Sequence, residues 1–304
     1  MGGSADSPAI RTTGLAKRYG NIQALAGLDM TIPRGSVFGF LGPNGAGKTT
    51  AVKLLLGLTS PTSGTAEILG LPIGQRSSRR RVGYLPELFR YQGWLTAREV
   101  LALHCELADI DRAGWSRDIE DVLAIVGLTE RGSSRVGTFS KGMQQRLGLG
   151  VALLGDPELV LLDEPTSALD PVGRHDVREI IRALKERGMT VFLNSHLLAE
   201  VEQVCDRVTI VDHGKVVAEG TLEELLRTDT VRIRATGLSR DTPAALSAFG
   251  ATVQEGEWLT VRGIDVERVP ELIAELVRLG GRVYAVEPKH ESLEDRFLRL
   301  LSDA

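Results

Sequence analysis

The residues whose spacing carries the clearest chemistry are Gly42, Gly47, Lys48 and Thr49. They are set in Gly42-Pro43-Asn44-Gly45-Ala46-Gly47-Lys48-Thr49 as GxxxxGK[ST]. Glycines open backbone conformations closed to other residues, so successive N–H groups can turn inward on phosphate oxygens while a helix begins behind them. Lys48 then supplies a point charge for the β- and γ-phosphates. Thr49 offers a hydroxyl to the Mg²⁺ that a nucleoside triphosphate brings with it. A glycine turn used only for tight packing would leave the Lys48-Thr49 pair unexplained.

Other groups fit the same chemistry. Asp163-Glu164 closes the apolar run 159–162 (LVLL), and the carboxyl end of such a strand is where open α/β sheets bind ligands. Asp163 suits Mg²⁺ through a water, and Glu164 suits a general base for water attacking the γ-phosphate. A helix cap with dipole compensation is the bland alternative for such a pair. His196 follows the strand-like run 190–193 (TVFL), and its ring can donate a hydrogen bond to phosphate. Ser140 can cap the helix that begins after it, leaving the first N–H groups and its hydroxyl for an anion. Tyr19 sits beside a turn at Gly20-Asn21, where a ring can stack on a purine.

The elements that must position these groups alternate between strands and helices. Residues 9–20 and 24–32 read as two antiparallel strands, and 36–41 as the strand that delivers the glycine loop. Residues 50–58 read as the helix after it, with Val52, Leu55 and Leu56 at helical spacing. Strands follow over 65–69 and 81–85. Thr96 with Glu99 forms a capping box at the head of a helix, and Ile119, Val122, Leu123 and Val126 stripe a second over 115–126. Helices are expected over 176–187 and 198–204, a hairpin over 207–219, and a short capped helix over 221–226. From 229 the order is βαββαβ, with a helix over 243–249 and another over 270–279, which suggests a ferredoxin-like unit. A last helix over 292–301 stripes Leu293, Phe297 and Leu300, a core face by preference and a dimer contact as the second reading.

The composition sets limits. The chain has 304 residues and a formal net charge of −4, so no excess of basic residues points to nucleic acid as a partner. Cys105 and Cys205 have no metal-type spacing and read as reduced thiols. No run of about 18 apolar residues offers a membrane span, and residues 1–8 read as a disordered leader without the pattern of a signal peptide.

Six separated pieces in this order resemble the ATP-binding subunit of ABC transporters, over about residues 10–226. The resemblance implies an α/β fold: a P-loop nucleotide triphosphatase core at 9–228 with an antiparallel β flap and a helical subdomain at about 88–156. A small α+β accessory domain follows at 229–304. It implies ATP and Mg²⁺ as cofactors, with Tyr19 stacked on adenine. Gly42, Pro43, Asn44, Gly45, Ala46, Gly47, Lys48, Thr49 and Thr50 form the Walker A loop, and Asp163 and Glu164 belong to Walker B. Ser140, Lys141 and Gly142 belong to the signature, Asp170 to the D-loop, and His196 is the switch histidine. Glu87 takes the Q-loop position.

Two departures from the family pattern bear on function. Glu87 stands where the family carries Gln, after Gly83-Tyr84-Leu85-Pro86; a carboxylate accepts a hydrogen bond from a metal-bound water but cannot donate to a phosphate. The signature reads FSKGMQQ in place of LSGGQQ. With the C-terminal stretch SLEDRFLRL, this resembles the ABC-2 branch that powers drug, antibiotic or lipid exporters. The family pattern also implies partners. A signature from one copy completes the site on another, so a second copy or close paralogue is needed, together with an integral membrane permease. The protein would then be cytoplasmic and peripheral on the inner face of the membrane. Phe89, Tyr91 and Trp94 read as lining for the permease groove or equally as local core. The alternative function is a soluble ABC ATPase clamping ribosomes or DNA, whose chains carry two nucleotide-binding halves or long coiled-coil inserts.

Overall fold

A computed structural model describes residues 7–167, 169–226, 229–239, 241–288 and 292–302. Most of the leader expected at 1–8 therefore lies outside the described residues, as do Ala168 beside Asp170 and the expected domain boundary at 228. The chain divides into two compact units, one running to Leu222 and including the chain from Phe297, the other Glu223–Arg296.

In the first unit the chain runs β1 (Ile10–Tyr19), β2 (Ile22–Ile32), β3 (Val37–Leu41), α1 (Lys48–Leu55), β4 (Ser63–Ile68), β5 (Leu71–Pro72), α2 (Arg76–Arg79) and β6 (Val82–Leu85). Then come α3 (Ala97–Leu107), α4 (Trp115–Ile125), α5 (Lys141–Leu153), β7 (Leu159–Asp163), α6 (Pro171–Glu186) and β8 (Thr190–Asn194). The last elements are α7 (Leu198–Val204), β9 (Arg207–Asp212) and β10 (Lys215–Thr221), and α8 (Leu222–Leu226) begins where the first unit ends.

Every residue of β3, β7 and β8 is buried, as continuous apolar runs require when helices cover both faces of a parallel sheet. These strands lie in a six-stranded sheet of order β10-β9-β3-β8-β7-β6. Phe38 and Phe40 of β3 pack against Phe192 of β8 with ring centroids 6.1 and 5.4 Å apart. The parallel register lines up the strand ends: Phe40 pairs with Asn194, Asp163 with Asn194, and Leu85 with Leu162. One edge of the sheet thus receives the glycine loop, Glu164, His196 and Glu87 together.

A second, antiparallel sheet of order β2-β1-β4-β5 forms the flap, and its apolar residues share a core with β3 and α1. Three helices, α3, α4 and α5, fill the segment between β6 and β7. Thr96 and Glu99 make the predicted capping box at α3. The helix expected over 176–187 begins earlier, at Pro171, because Asp170 caps it and proline occupies its first position.

The second unit contains β11 (Thr230–Thr236), α9 (Thr242–Ala245), β12 (Ala251–Glu255), β13 (Trp258–Arg262), α10 (Val269–Arg278) and β14 (Arg282–Pro288), and α11 (Leu293–Ser302) follows. Its antiparallel sheet has the order β12-β13-β11-β14, the split βαβ arrangement of a ferredoxin-like unit. Leu259, Val261, Leu272 and Leu276 lie in its core. The helix expected over 243–249 breaks into one turn of α9 and a 3₁₀ turn at Ser247–Phe249. The α/β core with its flap and helices, and the smaller α+β region after it, are the classes the sequence predicts. Among the described residues no helix is long and apolar enough to cross a membrane.

Candidate functional site

The glycine loop bridges β3 and α1. Gly47 caps the helix at φ 99°, with no side chain bonded to the first N–H groups and no acidic residue in the first turn. Those donors and the positive end of the helix dipole are therefore left for an anion. Ala46 N–H donates to Pro43 O at 3.2 Å, and Gly214 N–H donates to Ala46 O at 3.0 Å, tying the loop to the β9–β10 turn. Asn44, Gly45 and Thr49 are exposed, and Thr50 sits half-buried on α1.

Lys48 is buried, and its Nζ donates to Gly42 O at 2.7 Å and Pro43 O at 3.2 Å. Burial pushes its ammonium pKa below the usual lysine value, while Glu164, Asp163 and Glu87 pull it back up. One cation therefore faces three carboxylates.

Asp163 ends β7 at 3% exposure and accepts a hydrogen bond from Asn194 Nδ2 at 2.5 Å. Burial raises its carboxyl above the usual range; the Asn194 bond opposes this, Glu87 and Glu164 add to it, and Lys48 lowers it. Glu164 follows with its backbone in the left-handed region, φ 52°, and its N–H donates to Asn194 O at 2.8 Å. His196 Nδ1 lies 2.8 Å from Glu164 Oε2. The contact lacks hydrogen-bond alignment, so Oε2 is buried without a hydrogen-bond partner. Glu87 is exposed. It nonetheless acts on Tyr84, whose phenol is pushed up to about 12 by burial and by Asp163 and Glu87.

The remaining predicted residues lie elsewhere. Ser140 caps α5, its hydroxyl accepting from Met143 N–H at 3.2 Å. Asp170 caps α6, its carboxylate accepting from Gly173 N–H at 2.8 Å. The two caps border one cavity of about 430 Å³ that Ser140, Lys141, Gly142, Arg146, Asp170 and Asp176 help to line, and no residue of the glycine loop lines it. Tyr19 ends β1 at 46% exposure, with Lys17 Nζ 4.9 Å from its ring centroid. Phe89 lies tilted against Tyr91 with ring centroids 5.3 Å apart, Tyr91 meets His104 edge-on, and both are half-buried, while Trp94 is 72% exposed.

Sequence reasoning passed over Asn194, which bonds to both acids. The signal was its place at the end of the strand next to Asp163, which only the sheet register reveals.

Among the described residues no group of three or more His, Cys, Asp or Glu side chains is gathered to hold a metal unaided. A Thr49 hydroxyl and a buried Asp163 beside a polyphosphate loop instead fit Mg²⁺, which is held by one or two carboxylates together with substrate phosphates. The excess of carboxylates over Lys48 favours a cation there.

A family model described as ABC transporter matches residues 25–167. The bacitracin transport ATP-binding protein BcrA of Bacillus licheniformis is 43% identical, with 72% of each chain covered. The Nod factor export ATP-binding protein I of Rhizobium sp. (strain N33) is 35% identical, with 96% of each chain covered. A solved ATP-binding subunit of an ABC transporter superposes with TM-score 0.64 at 32% identity, covering 71% of this chain and 91% of that one.

Proposed function

Because the chain belongs to the ABC transporter family, among its ATP-binding proteins, we propose that it binds and hydrolyses ATP to power export through a separate membrane permease. It does so as a dimer with a second copy or a close paralogue. The observation that carries this reading is the separation of two half-sites: Lys48, Asp163, Glu164 and His196 at the sheet edge, and Ser140, Gly142 and Asp170 around a different cavity. A single chain offers a phosphate grip without a cover, and a second copy supplies it. Export is supported by the relative named for Nod factor export, and an antibiotic as one kind of cargo by the relative named for bacitracin transport. We assign residues 9–228 to the ATPase domain and 229–304 to an accessory domain.

In the mechanism the Lys48 ammonium leaves the Gly42 and Pro43 carbonyls for the β- and γ-phosphates, and the open N–H groups of α1 take phosphate oxygens. Thr49 and Asp163 would hold Mg²⁺, with the Glu87 carboxylate at the Q-loop position as a further acceptor toward it; when bound, the ion would supply charge neutralisation on the phosphates. Glu164 takes the proton of the attacking water, and His196, beside its carboxylate, donates to the γ-phosphate. Tyr19 stacks on adenine. Ser140, Lys141, Gly142 and Asp170 close over nucleotide held by the partner copy.

Glu164→Gln tests the reading. Without the base, turnover should fall about 10²–10⁴-fold, while ATP should shift the variant to a dimer in sedimentation velocity. Turnover at the wild-type rate, or a monomer with ATP bound, would refute it.

A further inference from the structure

Asn194 is the last residue of β8, in register with Asp163, the last residue of β7. Both are almost fully buried, at 1% and 3% exposure. The Asn194 side chain donates to Asp163 Oδ1 at 2.5 Å, and its main-chain carbonyl accepts the Glu164 N–H at 2.8 Å. One residue therefore grips both acids, each through a different group.

Each grip answers a local need. Glu164 has φ 52°, a left-handed conformation that an L residue keeps only where its surroundings over-determine it; the bond to the Asn194 carbonyl is one such constraint. Asp163 sits at the end of a buried strand, and a carboxylate without a donor there would be free to turn. Chemistry fixes the amide as well, since an ionised carboxylate only accepts and must face Nδ2. The other amide atom, Asn194 Oδ1, is left buried with no hydrogen-bond partner. An apolar side chain of similar shape would avoid that orphaned oxygen, so packing alone does not account for an amide at this position.

We propose that Asn194 is a positioning residue, holding the Asp163 carboxylate in the orientation that takes a divalent cation beside bound nucleotide. The inference rests on the reading of Asp163 as the metal-holding acid. It makes a distinction that general stability does not: the amide should matter for the cation and not for the phosphate grip, which belongs to Lys48 and the loop backbone.

The test is Asn194→Leu, which keeps the branched heavy-atom shape of the side chain and removes the donor. Asn194→Ala, smaller and likewise without a donor, decides the matter if the leucine variant does not fold. ATP affinity is measured by calorimetry in EDTA and in Mg²⁺, and Mn²⁺ binding to the ATP complex by electron paramagnetic resonance. The expected result is unchanged affinity in EDTA, with cation binding weakened about tenfold or more and the Mg²⁺ concentration for half-maximal hydrolysis raised in parallel. Unaltered Mn²⁺ and Mg²⁺ dependence in a folded variant would overturn the proposal. So would an equal loss of affinity in EDTA and in Mg²⁺, which marks a packing role. Wild-type protein that binds no ATP in either condition would refute the proposed function itself, and this inference with it.

Discussion

Substituting alanine at Gly47 and, separately, at Gly45 measures how tightly the flap seats on the phosphate loop. Both glycines are left-handed, at φ 99° and 86°, so each alanine meets backbone strain of roughly 1–2 kcal/mol. Their surroundings differ. A Cβ on Gly45 meets nothing within 4 Å, whereas on Gly47 it would stand 2.2 Å from Ala24 O and 3.0 Å from Leu25 Cδ2. Ordinary contact is about 3.5 Å, which leaves the carbonyl short by about 1.3 Å. Ala24 cannot swing away easily, because β2 is held on β1 by the Leu25–Lys17 pairing and to the β9–β10 turn by Ala26 N–H on Gly214 O at 2.8 Å. Overpacking of this kind costs about 1–3 kcal/mol. Gly47→Ala should therefore unfold about 2 kcal/mol less stable than Gly45→Ala, roughly 4–8 °C lower in Tm for a domain of this size. Scanning calorimetry of the nucleotide-free proteins measures the difference. Equal Tm values for the two variants would refute the seating of Ala24 on the helix start.

Three further outcomes are expected. Lys48→Ala loses a charge-assisted grip of about 1.5–3 kcal/mol, so ATP affinity by calorimetry should fall roughly 10- to 100-fold; undiminished affinity would oppose its role. Asp163→Asn should stabilise the nucleotide-free protein by about 1 kcal/mol at pH 7 while ending Mg²⁺-dependent turnover. The sign follows from a folded carboxyl pKa raised mainly by burial: stability falls as pH rises from the ordinary value to the folded one. The gain should vanish below about pH 4, where the group is neutral folded and unfolded, and a lower Tm for the variant at pH 7 would contradict it. Glu87→Gln should change the Mg²⁺ concentration needed for turnover, since an amide can donate to phosphate and a carboxylate cannot; identical Mg²⁺ titrations would make the position a passive hinge.

What could be read along the chain was what neighbours in sequence decide. The glycine loop, the Thr96–Glu99 capping box and the Ser140 cap each lie within a few residues, and the structure reproduces their local geometry. The buried strands were legible because LVLL and TVFL are apolar without alternation. The early start of α6 at Pro171 was also written locally, as an Asp-Pro pair, but exposed Val172 and the polar residues after it hid the helical stripe. Asn194 on Asp163, and His196 against Glu164, join residues about thirty positions apart; only the parallel register of β7 and β8 brings them together. The neighbour of Phe89 was hidden for a similar reason, since its ring reaches Gly148 on a helix that begins about fifty residues later.

The hold of Lys48 on the Gly42 and Pro43 carbonyls makes the loop a tethered competitor of its own ligand. A phosphate must outbid two backbone oxygens that are always at hand, so the measured affinity is the difference between two sets of bonds. The same oxygens stand ready to recapture the ammonium as the phosphates depart, so the charge need not wait for solvent. Product release then becomes a short exchange of partners within the loop, as the proposed hydrolytic cycle requires.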